Sequence, residues 1–201
     1  VTRIIAGNAG GTRIDTPPGA ATRPTSDRVR EALFSRLEHL DALEGRVVLD
    51  LFAGSGALGL EAASRGASRV QLVESAGVAA RVVLRNIAAC RAANARVVRI
   101  PVERYLDGKP EQPADLVLAD PPYDYPTPQL EGLLARLVRG GWLAPDALIV
   151  LERSKRSVAP QWPAGLRSQG EKTYGETMLW FARAESADDE AGEAEDVPEQ
   201  P

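Results

Sequence analysis

The stretch Val47-Val48-Leu49-Asp50-Leu51-Phe52-Ala53-Gly54-Ser55-Gly56-Ala57-Leu58-Gly59 decides the fold of this 201-residue chain. Its opening run is apolar except for Asp50, which predicts a strand covered on both faces. Gly54, Gly56 and Gly59 then permit a tight turn, a close backbone approach to a ligand, and close packing of the following helix. A strand, a glycine turn and a helix in that order open a βαβ unit.

The pattern continues on both sides. Further strands are predicted over 69–74, 96–100, 116–120 and 147–152, with helices over 58–65, 77–93 and 129–138 between them. Apolar strands alternating with helices imply a parallel sheet with both faces covered. The helix over 77–93 carries a stripe of Ala79, Val83, Ile87 and Cys90, so Cys90 is expected to be a buried core thiol. Two runs over 166–172 and 177–182, joined near Gly175, are too close in sequence to be anything but antiparallel. At the other end, Ile4-Ile5-Ala6 and Thr12-Arg13-Ile14 flank a glycine-containing turn and predict a small hairpin. A helix follows, capped by Thr25 or Ser26, with Val29, Leu33, Leu37 and Leu40 facing inward and Arg28 and Glu31 off that stripe. The expected fold class is α/β and Rossmann-like. It has a mostly parallel seven-stranded sheet, an antiparallel C-terminal hairpin and a small N-terminal hairpin-and-helix extension.

Composition separates three parts. Residues 184–201 hold eight acids and no Lys or Arg. Removing those eight from the 28 acids leaves 20 against 24 bases, so residues 1–183 carry about +4 despite a net charge of -4 for the whole chain. The expected division is an extension over 1–40, a catalytic domain over 41–183 and an acidic disordered tail over 184–201. Nearly all the cations are arginine, whose planar fork suits phosphates and base edges. A lone cysteine and a single histidine, His39, exclude an intrachain disulfide and a cysteine metal cluster, and no metal is expected. His39 is expected to flank the end of the first helix. No apolar run is long enough to span a membrane, the start lacks signal-peptide organisation, and a cytoplasmic monomer is expected.

The glycine turn implies an adenosine cofactor. Glu74, twenty residues after Gly54 at the end of the next strand, is placed to accept from ribose hydroxyls. Those features serve NAD and S-adenosylmethionine alike. Asp50 before the turn resembles the Asp/Glu-x-Phe-x-Gly-x-Gly pattern of methyltransferases, where that acid supports the loop or contacts the methionine ammonium. The candidate cofactor set is therefore Asp50, Phe52, Ala53, Gly54, Ser55, Gly56, Gly59, Glu74, Val102 and Asp120. Ile100-Pro101-Val102 departs from the methyltransferase pattern, because Pro101 cannot offer the usual Asp or Asn to the adenine amine. The backbone of Val102 is expected to take that contact.

Asp120-Pro121-Pro122-Tyr123 ends an apolar strand, where a doubly wound sheet presents its ligands. It resembles the (Asp/Asn/Ser)-Pro-Pro-(Tyr/Phe) motif of amino-methyltransferases. An exocyclic amine on a base is a poor nucleophile because its lone pair is delocalised into the ring. Two acceptors, the Asp120 side chain and the Pro121 carbonyl, would draw its hydrogens aside and turn the lone pair towards the methyl donor. Pro121 and Pro122 stiffen the loop, and Tyr123 can stack on the base.

Arg23-Pro24-Thr25-Ser26-Asp27-Arg28-Val29-Arg30-Glu31-Ala32-Leu33-Phe34 resembles a box of the bacterial small-subunit rRNA guanine-N2 methyltransferases, which are class I S-adenosylmethionine-dependent enzymes. Ile4-Ile5-Ala6-Gly7, the stretch from Asp50 to Glu61, and Gly141-Trp142-Leu143 match as well, so the resemblance covers roughly residues 3–183. It implies methylation of one guanine N2 amine in 16S rRNA, in an assembling 30S particle, with S-adenosylmethionine as cofactor. Arg23, Thr25, Arg28, Arg30 and Tyr123 are the expected RNA contacts. Adenine methylation in DNA, glutamine methylation in a protein, and a non-catalytic RNA-binding assembly factor are the alternatives the motifs leave.

Overall fold

The computed structural model describes residues 2–18 and 27–186. In chain order the elements are β1 (Thr2–Arg3), β2 (Arg13–Ile14), α1 (Asp27–His39), β3 (Val47–Leu51), α2 (Ala57–Ser64), β4 (Arg69–Glu74) and α3 (Gly77–Ala89). There follow β5 (Ala95–Arg99), α4 (Val102–Leu106), β6 (Ala114–Ala119), α5 (Thr127–Arg139), β7 (Leu143–Ser154), β8 (Leu166–Tyr174) and β9 (Thr177–Ala184). Strands β1 and β2 pair alone and antiparallel, and the other seven form one sheet in the order β5-β4-β3-β6-β7-β9-β8. Pairing is parallel from β5 to β7 and antiparallel in the β7–β9–β8 part. The expected fold class is present.

Two apolar layers cover the sheet. On one face Leu33, Phe34 and Leu37 of α1, Leu60 of α2 and Val83 of α3 pack on Val48, Leu72, Leu116 and Val150. On the other, Leu130, Leu133, Leu134 and Leu137 of α5 and Trp142 pack on Leu49, Val117 and Ile149. The alternation of partners along each strand follows from the two-residue side-chain period.

Most boundaries match the sequence reading within two residues. Helix α3 stops at Ala89, where its pattern predicted 93. Arg91 adopts φ 50, its N–H bonds the Ala88 carbonyl at 3.1 Å, and the Ala92 N–H bonds Ile87 at 3.0 Å. This is a Schellman ending with arginine where glycine is usual, so the sequence carries no glycine signal for it. Cys90, the cap, is half-buried rather than buried. Strand β7 starts four residues before the expected 147–152 and ends two beyond it, and the short α4 was not anticipated. The expected tail boundary at 184 also moves. Ala184 is a buried strand residue and the Glu185 N–H still bonds Gly165. His39 is exposed in the last turn of α1, as expected.

The N-terminal hairpin docks on α2 through buried polar groups. Glu61, 0% exposed, accepts from the Ile5 and Ala6 N–H groups at 2.7 and 3.0 Å and from Arg65 Nε at 2.7 Å. Ser64 Oγ donates to Ala6 O and accepts from the Ala9 N–H, while its carbonyl accepts from Asn8. The approach at Gly7 leaves no room for a side chain: a Cβ there would lie 1.9 Å from the Ser64 carbonyl oxygen.

Candidate active site

Parallel strands end on one edge, and that gathers the predicted residues. Leu51 pairs with Val73 and with Ala119, and Glu74 with Arg99. The glycine turn after β3, Glu74, the start of α4 and Asp120 therefore share the C-terminal edge of the sheet.

The turn is held from three sides. Gly54 and Gly56 take φ 58 and 81, which suits glycine there. The Gly54 N–H donates to Glu74 Oε2 at 2.8 Å, and Glu74 Oε1 accepts from the Ala76 N–H at 2.7 Å. Glu74 thus ties the turn to the start of α3 with both oxygens. Asp50, 1% exposed, accepts from the Gly59 N–H at 2.8 Å through Oδ2 and braces the first turn of α2. A Cβ on Gly59 would sit 2.9 Å from both that oxygen and Leu72 Cδ2, so this glycine sets the helix–strand packing. Burial raises the Asp50 pKa from 3.8 to about 7; the Gly59 bond opposes this and the Glu74 charge adds to it.

The third support is a residue the sequence reading passed over. Asn86 of α3 is 2% exposed, and its Nδ2 donates to the Ser55 carbonyl at 2.8 Å and to the Asp15 carbonyl at 2.9 Å. Its Oδ1 accepts from the Asp15 N–H at 2.9 Å. One amide thereby joins the glycine turn to the strand end from which the chain leaves the hairpin. An Asn on the inward side of an otherwise apolar helix was the available signal.

Ala53 is buried, with its N–H on the Val73 carbonyl at 3.0 Å, and Ser55 is half-buried. Phe52 takes φ 65, and its ring meets Tyr125 edge-on with centroids 5.1 Å apart. Val102 opens α4, where a helix leaves its first N–H groups without intrahelical partners. Glu103, one residue on, accepts from the Tyr125 hydroxyl, and burial together with this carboxylate raises the Tyr125 pKa.

Asp120 follows β6 directly and is half-buried. Burial pushes its carboxyl well above the usual carboxylate range, Glu152 and Asp50 push the same way, and Arg153 opposes them. Tyr123 is 75% exposed, free of the core and able to stack. The loop is fixed beyond it at Tyr125, whose N–H bonds Pro122 at 2.9 Å and whose carbonyl accepts from Arg153 Nη2 at 2.8 Å. Tyr125 therefore links the Asp120–Tyr123 loop, the Phe52 turn and Glu103, a role the motif itself did not reveal. A separate cavity of about 150 Å³, lined by Val47, Arg69, Tyr105 and Trp142, sits near the opposite strand ends and touches none of these residues.

The expected RNA contacts divide. Arg23 and Thr25 lie outside the described residues. Arg28 is exposed on α1. Arg30 is a correction: it is 1% exposed, and Nη2 donates to the Arg3 carbonyl at 2.7 Å and to Asp27 Oδ1 at 2.8 Å. Residue 30 shares the inward side of α1 with Phe34 and Leu37, so this arginine clamps the hairpin to the helix instead of facing a phosphate.

Comparison with known proteins agrees with this arrangement. The family model described as "Conserved hypothetical protein 95" matches residues 2–183. Ribosomal RNA small subunit methyltransferase D of Escherichia coli (strain K12) is 38% identical over 184 residues, covering 92% of this chain and 90% of that protein. The protein of the same description from Haemophilus influenzae is 35% identical over 156 residues, covering 76% and 79%. The solved structure of yhhF from Escherichia coli superimposes with a TM-score of 0.80 at 37% identity, over 92% of this chain and 98% of that one. The chain belongs to the Conserved hypothetical protein 95 family, whose relatives include ribosomal RNA methyltransferases.

Proposed function

We propose that this protein transfers a methyl group from S-adenosylmethionine to the exocyclic N2 amine of a guanine in 16S rRNA, within an assembling small subunit. The observation that carries the reading is the shared strand edge, which sets Asp120-Pro121-Pro122-Tyr123 one strand from the Asp50–Gly59 turn. Relatives named as small-subunit rRNA methyltransferases support the target.

The donor set suits the cofactor. Gly54 leaves its side of the turn open, a Cβ there meeting only the Phe52 carbonyl at 3.9 Å. The Glu74 carboxylate keeps acceptor capacity for ribose hydroxyls beyond the Gly54 and Ala76 N–H groups, and Val102 offers a backbone N–H. When bound, S-adenosylmethionine supplies an electrophilic methyl on a sulfonium. The chain's own residues do the rest. Asp120 and the Pro121 carbonyl each accept one hydrogen of the amine, leaving its lone pair directed at the donor. Tyr123 covers the base, and Tyr125 with Arg153 holds the loop that carries both acceptors. The protein acts as a cytoplasmic monomer.

Methyl transfer from labelled cofactor to 30S particles lacking the modification, beside naked 16S rRNA and duplex DNA, tests the proposal. Label on guanine N2 is the expected result. Label on DNA adenine with none on rRNA would overturn it.

A further inference from the structure

The longest stretch without an acid is 75–102, and it holds five arginines: Arg81, Arg85, Arg91, Arg96 and Arg99. Four of them share one flank, because 75–102 builds α3 and the edge strand β5. Arg81 and Arg85 lie on α3, Arg91 follows its end, and Arg99 pairs with Glu74 on the face that α3 covers. Arg96 instead pairs with Gln71 and turns to the other face of the sheet, towards Glu111. All five are exposed. Among the described residues no carboxylate lies within ion-pair distance of Arg81, Arg91, Arg96 or Arg99. Only Arg85 is paired, loosely, with exposed Asp15 at 3.4 Å. Elsewhere the cations divide: Arg46, Arg65, Arg69, Arg136 and Lys155 each face an acid. Arg104, Lys109 and Arg139 are exposed and lie outside ion-pair distance of any carboxylate among the described residues, scattered over α4, the loop after it and the end of α5.

Apolar side chains share the flank. Val78 and Leu84, both on α3, are among the few large apolar residues left exposed. The flank also reaches the chemistry. Arg99 ends β5 with its guanidinium against the backbone of Gly77, at the same sheet edge as the cofactor turn. Three strand spacings separate β5 from β6, roughly 14 Å at the usual inter-strand distance.

We propose that the α3–β5 flank is the docking surface for the RNA backbone beside the target nucleotide, with Arg81, Arg91 and Arg99 on phosphates and Val78 and Leu84 against sugars. A polyanion is the partner that fits, because unpaired guanidinium groups repel one another until phosphates neutralise them. This rests on the reading of the substrate as RNA. The flank positions the substrate, while Asp120 acts on it.

The test compares two triple variants with three charges removed in each. Arg81→Gln/Arg91→Gln/Arg99→Gln strips the flank. Arg104→Gln/Lys109→Gln/Arg139→Gln removes three exposed cations elsewhere. Binding to unmodified 16S rRNA is measured across a salt series, with S-adenosylhomocysteine affinity and thermal unfolding confirming an intact fold. The flank variant should bind at least roughly tenfold more weakly, with a log–log salt slope shallower by about 2, while the control stays near wild type. Equal losses in both variants, or an unchanged slope in the flank variant, would overturn the inference. Failure of the wild type to methylate rRNA while the flank dependence persists would instead refute the proposed function alone.

Discussion

Asn86 Nδ2 lies 2.8 Å from the Ser55 carbonyl and, through the same amide, 2.9 Å from the Asp15 carbonyl. The glycine turn proposed to hold the cofactor and the exit of the N-terminal hairpin are therefore fastened to one buried side chain, and a shift in either strains the other. Asn86→Asp keeps the shape and loses both donations. It also sets a carboxylate against two carbonyl oxygens at a buried site. It should therefore cost more than the stability of two lost hydrogen bonds, about 2 kcal/mol, and weaken S-adenosylhomocysteine binding. Denaturant titration and calorimetry check the two effects. Unchanged cofactor affinity in a destabilised protein would show that Asn86 holds the hairpin without shaping the turn.

Asp120→Ala removes one of the two proposed acceptors while leaving Pro121, Pro122 and the Tyr125 anchor in place. Cofactor affinity should stay within about threefold, and turnover should fall by roughly 10²–10³-fold, the usual scale for one preorganised polar group. Single-turnover methyl transfer with saturating cofactor measures it, and wild-type turnover would remove Asp120 from its assigned role.

Asp50 carries a pH signature. Its folded-state pKa of about 7 is above the ordinary 3.8, so the folded protein binds the proton more tightly than the unfolded chain does. The associated stability is fully present below about pH 4 and declines as pH rises towards 7 and beyond. Asp50→Asn keeps an acceptor for the Gly59 N–H and has no charge to bury. Its melting temperature should therefore fall less than that of the wild type between pH 5 and 8. Parallel melting curves for the two proteins would assign the pH response elsewhere.

Gly7→Ala tests the docking of the hairpin. The new Cβ would meet the Ser64 carbonyl at 1.9 Å, and φ is +80 there, so backbone must move. The expected cost is about 1–3 kcal/mol or more, concentrated in the hairpin. Hydrogen exchange should accelerate at Ile5, Ala6 and Ala9, whose N–H groups bond Glu61 and Ser64, and stay slow in β3 and β6. Uniform acceleration would mean that the hairpin and sheet unfold together.

The sequence alone determined the sheet class, the glycine turn, the position of Asp120 at a strand end and the antiparallel close of the sheet. Each rests on short-range information: a two-residue or 3.6-residue period, the φ freedom of Gly54 and Gly56, or the stiffness of Pro121 and Pro122. Only the tertiary structure decided that Arg30 is spent inside, that Asn86 and Tyr125 fasten the site, and that four of the five arginines along 75–102 share one flank while Arg96 turns to the other face. Those outcomes depend on which residues far apart in the chain are packed together. Arg30 and Arg28 read alike as a pair of basic residues, and what separates them is that one faces Phe34 and the hairpin while the other faces solvent. A local pattern fixes the side chain's type and spacing, whereas its partner is set by the docking of β1, α2 and α3 around it.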